Sequence, residues 1–172
     1  MAKGAVEVPK SAIRNASGPR ASPTRLIGHS SGWSNQKVGH YHSRHIYFTK
    51  VRFRSKAAKK RILARTEFGG YSLPVEGRMF DPDKVFGYKK FQETDKYQEA
   101  LESLYREAIL PAIDRGLAVL VCTHLSDVED EINGLLTYDR KAMKMDVNRM
   151  RSINAFEPCF FSRQRQSSEI GA

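Results

Sequence analysis

The chain has 172 residues and 40% apolar content, with 29 Lys and Arg against 19 Asp and Glu for a net charge of +10. That length suits one compact unit carrying an extension and leaves no room for two independent cores. Two cysteines are too few for a disulfide framework, there is no secretory signal, and the longest apolar run, Leu117 to Cys122, is far short of the roughly 18–20 residues of a membrane span.

The charge is unevenly divided. Residues 1–66 hold 15 basic residues and a single acid, Glu7, for a net +14, whereas residues 67–172, with 14 basic and 18 acidic residues, come to −4. A polycation joined to a mildly acidic unit implies an anionic partner, because charges held this close repel until something neutralises them. Nucleic acid is the commonest such partner.

Residues 1–44 are rich in Ser, Gly, Pro and Arg, lack any period of 2 or 3.6, and read as an extended basic arm that orders only on binding. Within them, residues 8–35 carry Lys10, Arg14, Arg20 and Arg25 and no acid, as an organellar transit peptide does. Pro9, Pro19 and Pro23 interrupt an amphipathic targeting helix and favour a retained arm, with import into mitochondria left open. Residues 45–66 are expected to form a basic strand–helix unit: a strand over His45–Arg54, where Val51 and Phe53 alternate with Lys50, Arg52 and Arg54, then a short helix over Lys56–Arg65 capped by Ser55.

Residues 67–93 combine turn formers with Phe68, Tyr71, Phe80, Phe86, Tyr88 and Phe91, and Tyr97 lies just beyond, so this stretch reads as a surface-wrapping loop whose rings anchor a partner. Residues 94–155 are the compact unit. From Thr94, Tyr97, Leu101, Leu104, Tyr105, Ala108, Ile109 and Ile113 recur at helical spacing; Pro111 ends or kinks the last turn, and Gly116 supplies the left-handed stop. Leu117–Thr123 suits a strand buried on both faces, or a buried helical stretch. Ser126-Asp127-Val128-Glu129 matches a capping box opening a helix that can run to about Arg151. Residues 156–172 read as a flexible tail. The expected fold is a small α+β one, with one or two short strands, two main C-terminal helices and a long basic N-terminal extension; it becomes mostly α if 117–123 is helical.

No constellation demands catalysis. His40, His42 and His45 lie close in sequence, but a zinc site needs about four ligands and Arg44 between them repels a cation. Cys122 and His124 would share one side of a strand, yet a cysteine in an apolar run is characteristically inert. Gly69-Gly70 lacks the remainder of any phosphate-binding fingerprint, and Asp127, Glu129, Asp130 and Glu131 are explained by a helix dipole. No enzyme, cofactor or metal is expected.

Leu104-Tyr105-Arg106 resembles the tripeptide of the LYR-motif proteins, small helical mitochondrial subunits and assembly factors of respiratory complexes and ribosomes. In that family the motif lies near the start of the first helix of a bundle, whereas here it follows a long basic extension and precedes Pro111 and an apolar run read as a strand. The resemblance covers this helix alone and implies only a mitochondrial setting; no acyl-carrier partner is carried over.

The expectation is a non-catalytic structural subunit of a large assembly, foremost an RNA-binding component of an organellar ribosome. Residues 10–65 would neutralise rRNA or another polyanion through Arg44, Lys50, Arg52, Arg54, Lys56, Lys59, Lys60, Arg61 and Arg65. Phe68, Tyr71, Phe80, Phe86 and Tyr88 would anchor protein partners. The alternative is an accessory subunit of a respiratory or ATP-synthase complex, or a filament-lining cytoskeletal protein, with the arm on acidic protein or an anionic membrane surface. The expected location is mitochondrial, otherwise cytoplasmic, and not secreted.

Overall fold

The computed structural model describes residues 24–28, 32–33, 37–50, 52 and 60–155. Most of the expected transit segment and of the arm, the tail, and Arg54, Lys56 and Lys59 lie outside the described residues.

Sequence order runs β1 (Tyr41–His45), β2 (Ile62–Gly69), β3 (Tyr71–Ser72), β4 (Lys89–Lys90), α1 (Thr94–Leu104), a π-helical turn (Tyr105–Ile109), α2 (Leu110–Ile113) and β5 (Leu117–Thr123). A final helix, α3, covers 147–155. Three strands form a parallel sheet in the order β1-β2-β5, and β3 pairs with β4 in a second parallel ladder. The fold is therefore a small α+β one with short parallel strands and one long helix. Parallel neighbours require a crossover, and the α1–α2 helix provides the one between β2 and β5.

The helix from Thr94 forms because its apolar residues recur at i+3 and i+4, and Tyr97, Leu101, Leu104, Tyr105, Ala108, Ile109 and Ile113 are all buried. With Phe68, Tyr71, Leu73, Met145 and Ile153 they make the main core; Phe68 meets Tyr105 edge to face at 5.4 Å. Each such large apolar side chain contributes about 1.5–3 kcal/mol of burial. Pro111 has no N–H for a regular turn, and its ring would clash with the carbonyl four residues back; the chain widens just before it, with Leu110 N–H donating to Tyr105 O in a π turn. Gly116, at φ +93°, then reverses the chain into β5.

Four expectations are corrected. The basic helix expected over Lys56–Arg65 is not there where the chain is described: Ile62–Arg65 begin β2, the central strand, which continues through Thr66 and Phe68 and is paired on both edges. Thr49, Lys50 and Arg52 are not in a strand; β1 lies earlier, and Ile46 and Phe48 instead pack beneath the turn, Phe48 stacking on Tyr71 at 5.0 Å. β5 is a strand, but Ala118 and Val121 are exposed, so it is not buried on both faces. The capping box opens no helix: Asp127 is drawn inward by Lys144, and the segment folds through short bridges such as Ser126 with Leu136 and Leu136 with Met143. Helicity waits until Asp146, whose side-chain oxygen accepts the Asn148 and Arg149 N–H groups at 2.9 Å as an N-cap for α3.

Candidate nucleic-acid interface

The cations expected to meet phosphate divide by location. Arg44, Lys50, Arg52 and Lys60 are exposed, and no carboxylate lies within ion-pair distance of them among the described residues. Arg61 is half-buried and its guanidinium reaches back to the carbonyls of Val38 and Tyr41, each at 3.2 Å. Arg65 is fully buried at 0% exposure, which corrects its assignment as a phosphate contact. Its Nε donates to Ile46 O at 2.6 Å and its Nη2 to Tyr47 O at 3.1 Å, and its charge lies over the Phe68 ring at 5.4 Å. Burial pulls its pKa down to about 10, so it stays charged at neutral pH while holding the turn after β1 onto β2.

The five expected anchors also divide. Phe68 and Tyr71 are core residues at 1% and 6% exposure, whereas Phe80, Phe86 and Tyr88 are about half exposed. Phe80 stands apart against Tyr138, 5.1 Å between ring centroids, beside the Arg78–Asp139 pair at 2.8 Å.

Phe86 and Tyr88 belong to a second group that the sequence reading did not assemble. Tyr88 lies 4.4 Å from Tyr47, Tyr47 lies 6.2 Å from Trp33, and Phe86 lies 5.5 Å from Tyr88. Tyr47 OH donates to Glu67 Oε2, and Tyr88 OH donates to Tyr47 OH at 3.4 Å. Burial, reinforced by the Glu67 hydrogen bond, holds the Tyr47 hydroxyl protonated far above its ordinary range. Trp33, the single tryptophan, caps His45 edge-on at 5.2 Å. The signals available in sequence were that lone Trp in a Ser/Gly setting and the run Tyr88-Lys89-Lys90.

The histidines serve three separate contacts and do not converge. His40 Nδ1 accepts the Ile27 N–H at 2.9 Å, His42 Nδ1 faces Arg61 at 3.4 Å, and His45 Nδ1 lies 3.4 Å from Glu67 Oε2. Burial lowers the pKa of His42, with help from the Arg61 and Arg44 charges; burial also lowers that of His45, opposed by Glu67. A histidine whose folded pKa lies below 6.5 is protonated first in the unfolded chain, so the stability it contributes is present above about pH 6.5 and lost as pH falls. The melting temperature is therefore expected to drop between pH 7.5 and 5.5, and to drop less in His42→Gln. An equal drop in the variant, followed by calorimetry, removes His42 as a source.

Cys122 and His124 each have a separate environment. The thiol is pushed up to about 11 by burial, and His124 Nδ1 pairs with Asn133 Oδ1 at 3.0 Å. Leu104 and Tyr105 of the tripeptide are buried in the core, and Arg106 is exposed. Among the described residues no helix is long and apolar enough to cross a membrane. No protein-family description matches the chain, and no curated protein is similar to it.

Proposed function

We propose that this chain is a non-catalytic structural subunit of a large multi-component assembly, in which it binds RNA as a component of an organellar, mitochondrial ribosome. The carrying observation is charge segregation: residues 1–66 hold 15 basic residues against a single acid, for a net +14. The described part of that segment supports it, since Arg44, Lys50, Arg52 and Lys60 are exposed. Such cations take up phosphates and release counterions without reading sequence. The exposed Phe80, Tyr138, Leu125 and Met143 fit docking on protein neighbours in the same particle.

The test is sedimentation of the native tagged protein from lysate, with and without ribonuclease. Migration in a heavy particle that collapses on ribonuclease treatment is the expected result. A heavy particle indifferent to ribonuclease favours a respiratory, ATP-synthase or cytoskeletal assembly, with the arm on acidic protein or lipid headgroups. A light monomeric position counts against both.

A further inference from the structure

We propose that Trp33, Tyr47, Tyr88 and Phe86 form a stacking platform for the unpaired bases of single-stranded RNA; this rests on the RNA-binding reading and assigns it a second, non-phosphate site. Three of the four rings are substantially exposed, Trp33 at 67%, Tyr88 at 48% and Phe86 at 44%. Their successive centroid separations, 6.2, 4.4 and 5.5 Å, link them through consecutive ring contacts. Scattered single apolar residues on a surface need no explanation, but a row of rings in mutual contact does.

The row is held in place from beneath. Gly32 has φ +102° and sits against β1, accepting the His45 N–H at 3.2 Å; a Cβ there would clash with the His45 ring. That close approach fixes the backbone carrying Trp33. Tyr47 is tied by its hydroxyl to Glu67, and Tyr88 to Tyr47. Gly70, at φ +67°, lets the chain pass under both tyrosine rings, where a Cβ would be 3.0 Å from Tyr47 and 3.2 Å from Tyr88. Phe86 is pinned by its backbone to Asp130 O and Ile132 N. Rings whose ordering is already complete lose little further freedom on binding.

Charge selects the occupant. Arg44 precedes the Trp33 partner His45 in β1, Lys50 and Arg52 follow Tyr47 and Phe48, and Lys89 and Lys90 follow Tyr88; all five are exposed. The carboxylate within the row, Glu67, is engaged by Tyr47. Asp130 and Glu131 lie at the Phe86 end, so the strand path runs from Trp33 to Tyr88 and stops near Phe86. Rings with exposed cations next to them or their partners in the chain match a single strand, whose bases stack and whose phosphates are neutralised nearby; a duplex hides its base faces and offers phosphate alone.

Trp33 reports on this directly, being the chain's single tryptophan. The full chain is titrated with a 12-nucleotide oligouridine and, separately, with a 12-base-pair RNA duplex. The single strand is expected to quench Trp33 emission saturably in the parent chain, and by anisotropy of the fluorescently labelled RNAs, which needs no tryptophan, Trp33→Ala and Tyr88→Ala, checked as folded by circular dichroism, are each expected to weaken oligouridine binding about 10-fold. Trp33→Phe retains most of the affinity, and duplex affinity is unchanged in all three. Equal binding of both RNAs, without quenching and without effect of the ring variants, overturns the platform and leaves the phosphate reading standing. Binding of neither RNA at low salt overturns both. Quenching by a proline-rich peptide but not by oligouridine assigns the rings to a protein partner and overturns the platform.

Discussion

Asp127→Ala is expected to destabilise the protein by about 3–5 kcal/mol, because it strands a buried ammonium without its counter-charge. Lys144 Nζ lies 2.7 Å from both Asp127 oxygens and donates to Ile132 O at 3.0 Å, and the two side chains are 0% and 2% exposed. Asp127 also accepts the Gly134 N–H at 2.9 Å, and Gly134 packs so tightly on the 126–127 backbone that a Cβ would lie 2.2 Å from Asp127 N. The pair thus replaces the helix expected here as the device that organises residues 124–145. Burial already lowers the Lys144 pKa, opposed by Asp127. Without the carboxylate it falls further, so the folded chain binds fewer protons than the unfolded one and stability rises with pH up to about 10.5. The Asp127→Ala defect should accordingly shrink as pH is raised from 7 towards 10 in urea melts. The double variant Asp127→Leu, Lys144→Met should recover at least half of the loss. A defect independent of pH and equal in the double variant would refute the ion-pair account.

What could be read from the sequence was local in origin. The helix from Thr94 and its stop at Gly116 are written in spacing and in one glycine. Leu117–Thr123 was readable as a strand by its length and branched residues, but not its edge position, which depends on where β2 lies. Ile62-Leu63 fitted a helical stripe with Ala57 and Ala58 just as well as a strand; only parallel partners distant in the chain decide for the strand. The same limit hid the buried charges. Asp127 satisfies a capping box locally, and its real partner is 17 residues away. Arg65 looks like one more member of a basic run until the carbonyls of Ile46 and Tyr47 are brought to it. The ring row unites residues 33, 47 and 86–88, which no periodicity connects.

Arg65 separates folding from binding, and Arg65→Met is expected to cost roughly 2–3 kcal/mol, or about 5–10 °C in melting temperature for a chain of this size. The loss is smaller than for Asp127 because removing Arg65 also relieves the desolvation of a buried charge, and Tyr47 O keeps a second donor in Gly69 N–H at 3.2 Å. Ile46 O is left with the main deficit, since the 2.6 Å bond from Arg65 Nε is lost. Lysine does not rescue the site, because one ammonium cannot span both carbonyls as the planar guanidinium does. Neutralising exposed Lys50 and Arg52 should act in the opposite way. The double Ala variant leaves the melting temperature within about 1–2 °C but reduces the slope of log affinity against log salt by about 1 for each phosphate contact removed. Arg65→Met, assayed well below its melting temperature, keeps the parent slope. If Arg65→Met instead lowers the salt slope with no change in melting temperature, the guanidinium faces phosphate and its place inside the fold is wrong.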